Sequence, residues 1–260
     1  MPEPVLDVST AGGVARVRLS RPAVRNAFNA ELIAGLHRAF DALAANVAVR
    51  AVVLWGEGKS FCGGADINWM RDSLELSHEQ NVADAQRMSD MFRAIDRCPK
   101  PVIARIHGAA LGGGAGLAAV CDVAIAADDT VFGFTETKLG ILPAVISPFV
   151  LAKIGQTHAR ALFLTGERFD AQRALHIGLI HEAVPDIALD AAVDRVVHEL
   201  RSAGPTAVAS AKQTIARVSS ATYDESRDLT AAAIAAQRTS PEGQEGLRAF
   251  LERRKAGWTL

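Results

Sequence analysis

Cysteine is scarce in this chain. Cys62, Cys98 and Cys121 are spread through 260 residues, odd in number and without CxxC spacing, which excludes a disulfide framework and a cysteine-built zinc site. Three small, reduced, buried thiols are the expectation. Excess charge is also lacking. Acids and bases balance to a formal net charge of -1, which argues against nucleic acid or a membrane surface as the main partner. No run reaches the roughly 18 uninterrupted apolar residues of a membrane span. The N-terminal MPEPVLDVST has an acid and two prolines where a secretory leader would be basic and then apolar, so a cytoplasmic protein is expected.

Motifs of several enzyme classes are missing as well. There is no GxSxG nucleophile elbow and no HExxH metal pair. Gly58-Lys59-Ser60 ends like a phosphate-binding loop, but Val53 stands where that loop requires glycine. Gly114-Ala115-Gly116-Leu117-Ala118-Ala119 satisfies the glycine pattern of a nicotinamide-binding turn, with Glu136 about 20 residues on. Too few residues then precede the next strand for the crossover helix of a parallel β-α-β unit.

What is present is a large apolar fraction, 49% of residues, enough for one sizeable domain or a domain with an appendage. Val5 to Val8 and Val14 to Leu19 read as a hairpin about Gly12-Gly13. Asn29 caps a helix whose apolar positions are Leu32, Ile33, Leu36, Phe40 and Leu43. A strand follows from Ala51 to Trp55, and Asp72 to Asn81 is polar and reads as a loop. Ser77 and Gln80 form a capping box for a helix with Val82, Ala85, Met88, Phe92 and Ile95 on its core face. Val102 to Ile106 and Asp122 to Ala127 are β-like. Beyond Pro143 the chain reads as helical, with Ala-rich periodic segments at Gln172–His176, Ile187–Leu200, Thr206–Val218, Tyr223–Ala236 and Pro241–Lys255.

Two glycine-rich turns stand out, each after a β-like run: Ser60-Phe61-Cys62-Gly63-Gly64-Ala65-Asp66-Ile67, and Gly112-Gly113-Gly114. Glycine is tolerated where positive φ or close approach of the main chain to a ligand is needed. A helix starting just after such a turn presents unpaired N–H groups. Two such turns can each direct one main-chain donor at the same oxygen, which suits a developing negative charge.

The pairing of GKSFCGGADI with HGAALGGGAGL, preceded by SRPAVRNAFNAEL and followed by FGFTETKLGILP and EGLRAFLERRKAGW, resembles the crotonase superfamily, the enoyl-CoA hydratases and isomerases. The resemblance runs from Arg16 to the C-terminus. It implies an α/β fold with a β-β-α spiral core over residues 1–200, and a C-terminal helical region over 201–260 that packs on the core and on neighbouring subunits of a homotrimer or dimer of trimers. It implies an acyl-CoA substrate with no separate cofactor, because coenzyme A is part of the substrate, and no metal. It places oxyanion donors at the N–H groups of Ala65 and Gly113 and makes Glu136 the general acid and base. Val24, Arg25, Gly63, Asp66, Ile67, Gly116, Pro143 and Ala144 are the implied substrate contacts. Phe250 with Arg253 or Lys255 would reach a neighbour's coenzyme A.

The sequence departs from the family pattern where Ala144-Val145-Ile146 replaces the more glycine-rich turn frequent after Pro143, which implies a reshaped acyl pocket, and at one more telling place. Family hydratases generally carry two glutamates, and the first position is occupied here by Gly116. The segments GGGAGL, TETKLGILPAVISPF and LTGERFDAQRALHIGLI look most similar to methylglutaconyl-CoA and carboxygeranoyl-CoA hydratases, which act on branched or carboxylated esters. A single glutamate also suits Δ3,Δ2-enoyl-CoA isomerisation, and a non-catalytic acyl-CoA-binding protein is a further alternative.

Overall fold

The computed structural model describes residues 4–259. The opening hairpin pairs β1 (Leu6–Ala11) with β2 (Val14–Leu19), Ala11 opposite Val14 across two glycines of positive φ. Helix α1 (Ala30–Ala45) starts at Asn29, whose side chain accepts the Leu32 N–H (2.9 Å), and it buries the five apolar residues its spacing predicts. β3 (Ala51–Gly56) then pairs in parallel with β2. The stretch expected as a polar loop is largely helical. α2 (Ile67–Ser73) runs into it and α3 (His78–Arg97) out of it, because Asp66 and the Ser77–Gln80 capping box supply the N-terminal acceptors.

β4 (Val102–Ile106), β5 (Ala109–Leu111), α4 (Gly113–Val120), β6 (Val123–Ala127) and β7 (Val131–Gly133) follow in close succession. The stretch after Pro143 holds more than helices. α5 (Ser147–Thr165), broken at Gly155, is followed by β8 (Arg168–Asp170), α6 (Ala171–His176), β9 (Glu182–Val184) and α7 (Leu189–Ser202). Three-residue strands are too short to show alternation, and pairing with distant partners defines them. The C-terminal segment is α8 (Pro205–Val218), α9 (Tyr223–Thr239) and α10 (Pro241–Leu251).

The strands form two sheets, ordered β1-β2-β3-β4-β6-β9 and β5-β7-β8. From β2 onward every neighbour in the larger sheet is parallel. Its inner strands read as nearly continuous apolar runs because both faces are covered. Val52, Leu54 and Ala104 face the main core with α1, α3 and α4, whereas Ala51, Val53 and Ile103 face α7. The second sheet and α4 sit where β3 and β4 end. The C-terminal helices are different in character. Among their described residues only Ala249 is buried, and they pack mostly on one another. Lys212 of α8 ties them to the core through Asp122 (2.7 Å). Arg50 adds bonds to the carbonyls of Arg201, Ala203 and Trp258.

Candidate active site

Both glycine turns end in a main-chain N–H that no main-chain acceptor among the described residues takes. At the first turn Cys62 bridges Ala110, and three residues later Ala65 bridges Phe28: Phe28 N–H donates to Gly64 O (2.7 Å) and Asp66 N–H to Phe28 O (2.9 Å). In a parallel bridge the bonds run through the residues flanking Ala65, so its own N–H points the other way. Among the described residues no main-chain acceptor meets it. At the second turn α4 begins inside the glycine triplet, with Gly112 as its cap. Gly112 donates to Gly133 O (2.8 Å), while the N–H of Gly113 belongs to the unpaired first turn.

Backbone packing explains the glycines. A Cβ on Gly114 would collide with the carbonyl oxygen of Cys62, and one on Gly113 would lie 2.8 Å from the Phe28 ring. The two turns are therefore held main chain against main chain. Gly112 has φ 51°, and a Cβ there would stand 3.1 Å from Oε1 of Glu136. A side chain at 112 would displace that carboxylate.

Glu136 opens the short helical turn Glu136–Leu139 that follows β7. Its Oε2 is buried and, among the described residues, has no hydrogen-bond partner. Burial pushes its pKa above the usual carboxylate value, since desolvation disfavours the charged form. Lys138, two residues on, packs near Gly166. The carboxylate faces a cavity of about 380 Å³ whose walls include Trp69, Met70, Met88, Leu142 and Ile146. None of the lining residues is a cation, and the side chains there able to make strong hydrogen bonds are Glu136, Thr135 and the Trp69 indole.

Of the residues singled out from the sequence, Gly63, Ala65, Gly113, Glu136, Pro143 and Ala144 line this one cavity. Asp66 lies beneath it, capping α2 through the Asn68 N–H (2.8 Å) and pairing with Arg21 (2.7 Å). Burial alone would raise its pKa, but the Arg21 guanidinium and the Asn68 N–H outweigh that and hold the carboxyl below its usual range. Ile67 is exposed at the start of α2, and Val24 and Arg25 are exposed beside the first turn, where Gly63 N–H donates to Arg25 O (2.7 Å). Phe250, Arg253 and Lys255 are exposed near the C-terminus and do not line the cavity of their own chain. Gly116 does not line it either. It is buried, and a Cβ on it would overlap Cγ2 of Ile146, approach its Cβ to 2.9 Å and reach 3.1 Å from the Phe92 ring.

Three features were not assigned from the sequence. Met88, expected in the core, is a cavity wall, because the α3 face that carries it passes over the two turns before burying Phe92 and Ile95. Thr135 lines the cavity beside Glu136, and adjacency to that residue was its only sequence signal. Asn26 is buried at φ 54° and joins the first loop to the first turn: its Nδ2 donates to Glu57 O (2.9 Å) and Ser60 O (2.8 Å), and its Oδ1 accepts from Arg21 N–H (2.8 Å). Among the described residues no group of three or more His, Cys, Asp or Glu is placed to hold a metal ion.

The chain is similar in sequence and in fold to known proteins. The sequence model of the enoyl-CoA hydratase/isomerase family matches residues 9–260. A crotonyl-CoA hydratase of Syntrophomonas wolfei is 33% identical over 242 residues, 92% of each chain. An enoyl-CoA hydratase structure from Shewanella pealeana superposes with a TM-score of 0.94 at 39% identity, covering 98% of this chain and 96% of that one. AtuE of Pseudomonas aeruginosa gives a TM-score of 0.95 at 37% identity, covering 98% and 100%. With its crotonase fold, its two glycine turns and the match along nearly its whole length, the chain belongs to the enoyl-CoA hydratase/isomerase family.

Proposed function

We propose that this protein adds water across the 2,3 double bond of an enoyl-CoA thioester whose acyl group is apolar. The observation that carries the reading is Glu136, a buried carboxylate without a partner, facing a cavity that also receives the two glycine turns. In the forward direction the Glu136 carboxylate takes a proton from water as the water oxygen bonds to C3. The π electrons move onto the thioester oxygen, where the N–H groups of Ala65 and Gly113 stabilise the enolate more than the ground-state carbonyl. Glu136, now protonated, returns the proton to C2 as the enolate collapses. The net change is addition of one water, and the carboxylate is regenerated.

The cavity walls support a straight or branched aliphatic acyl group. A carboxylated ester such as methylglutaconyl-CoA would place an anion near Glu136 in a space lined by no cation, which carries a desolvation cost without compensation. Isomerisation of 3-enoyl esters is the second reading, favoured by the single carboxylate. A panel of crotonyl-, 3-methylcrotonyl-, methylglutaconyl- and 3-hexenoyl-CoA in ¹⁸O-labelled water separates the readings. Label in the product of the apolar 2-enoyl esters is expected. A carboxylated ester as the best substrate, or isomerisation without label, overturns the proposal.

The exposed C-terminal helices support an oligomeric assembly. Ile215, Tyr223, Ile234, Leu247, Phe250 and Leu251 are exposed there, an apolar surface that suits burial against other copies in a homotrimer or a dimer of trimers. In such an assembly residues 201–260 form the packing region on a core of 1–200, and Phe250, Arg253 or Lys255 meet a neighbour's coenzyme A. Among the described residues no helix is long and apolar enough to cross a membrane, and the cytoplasm is the compartment we assign. Coenzyme A enters as part of the substrate, with Val24, Arg25 and Ile67 flanking its approach.

A further inference from the structure

A reacting water needs more than a base. One hydrogen bond to Glu136 fixes one O–H direction and leaves the molecule free to rotate about it, so its lone pair is not aimed at C3. A second contact must accept the other O–H. Gly116 cannot supply it, since Ile146 and Phe92 fill the space in front of it.

Two other lining side chains can hydrogen-bond, the Trp69 indole and the Thr135 hydroxyl. Indole N–H only donates, whereas a hydroxyl both donates and accepts. We propose that Thr135 Oγ1 accepts the second hydrogen of the attacking water and, with Glu136, orients its lone pair toward C3. Thr135 precedes Glu136 directly, at φ −90° and ψ 4°. Its methyl group is turned toward Gly133, where an added Cβ would come within 3.2 Å of Cγ2, with Leu111 and Arg168 close by. The hydroxyl occupies another position on Cβ, Thr135 lines the cavity, and among the described residues the hydroxyl makes no hydrogen bond. Thr137, two residues on, instead donates its hydroxyl to Phe163 O (2.8 Å). The assignment rests on the hydratase reading above. It makes Thr135 the group that allows a single carboxylate to direct water and not merely to shuttle a proton.

The test compares wild type with Thr135→Val, which keeps the shape and removes the hydroxyl, and Thr135→Ser, which keeps the hydroxyl. Crotonyl-CoA in ¹⁸O-labelled water is the probe, and kcat and KM are measured separately. Losing one hydrogen bond to the reacting water should lower kcat in the valine variant by about tenfold or more, with KM within about twofold of wild type. The serine variant should recover most of that loss, an outcome a packing role would not give. Equal rates of label incorporation by wild type and valine variant, or a serine variant as slow as valine, overturn the role of Thr135 alone. A wild-type protein that incorporates no label overturns the hydratase reading and this role with it.

Discussion

The smallest substitution at position 116 is the most informative perturbation of this fold. Alanine in a helix is about 1 kcal/mol more favourable than glycine, and one buried methyl contributes about 0.8 kcal/mol, so Gly116→Ala would stabilise a helix with room beside it. Here the new Cβ would overlap Ile146 Cγ2 and lie 2.9 Å from Ile146 Cβ. Ordinary carbon contacts begin near 3.5 Å. Rotating Ile146 about χ1 moves its branches but not its Cβ, so the clash cannot be relieved by a rotamer change alone. Retreat of α4 is blocked as well, because Gly113 and Gly114 are already pressed against Phe28 and Cys62. An overpacking cost of about 3 kcal/mol, at the top of the usual range, exceeds the gains, and the net expectation is a loss of about 1–2 kcal/mol in urea unfolding. In an Ile146→Ala background, which removes the Cγ2 overlap but keeps the Cβ, the same change should cost less, a coupling of about 1–3 kcal/mol in a double-mutant cycle. Gly116→Glu should unfold the region before it can offer a second carboxylate. If Gly116→Ala is neutral or stabilising in the wild-type background, there is space beside α4, and the closure of this position by Ile146 is wrong.

Glu136→Gln should lower hydration by about 10²–10⁴-fold with little change in KM. The same variant should also change the pH dependence of stability. The native pKa of Glu136 is raised above its ordinary 4.5, so the folded state holds the proton longer than the unfolded chain, and stability falls as pH climbs from about 4.5 through the native pKa. The glutamine protein should therefore be more stable than wild type at about pH 8, with the gain gone below about pH 4 in unfolding curves. No such convergence would mean that the carboxylate is not desolvated. Asp66 has the opposite sign: its native pKa is depressed, and its contribution exists above the unfolded carboxylate range and is lost as pH falls through the native value. Asp66→Ala should cost about 3–5 kcal/mol for the stranded Arg21 plus about 1 kcal/mol for the cap. Asp66→Asn, which can still cap α2, should cost less. Equal losses would assign the role of Asp66 to its pairing with Arg21 alone, and no loss in the asparagine variant would assign it to capping alone.

Local rules written into the sequence determined much of this protein. Asn29 and the Ser77–Gln80 box begin helices where capping chemistry requires, the hairpin turns at Gly12-Gly13, and the spacing of Leu32, Ile33, Leu36, Phe40 and Leu43 gives the buried face of α1. The two glycine turns were legible because positive φ or close backbone approach is what tolerates such runs, and Glu136 was legible through its motif. Pairing between distant segments could not be read in the same way. β8 and β9 are three residues each and exist because β7 and β6 accept them. Which way a side chain faces is likewise decided by its neighbours across the fold. Met88 has the spacing of a core residue and becomes a cavity wall because α3 crosses the two turns at that point. Gly116 has the sequence position of a catalytic side chain, but Ile146, 30 residues later, fills the space it would need. Backbone conformation answers to nearest neighbours in the chain, whereas packing volume is shared among segments far apart in sequence, and only the folded structure assigns that volume to one of them.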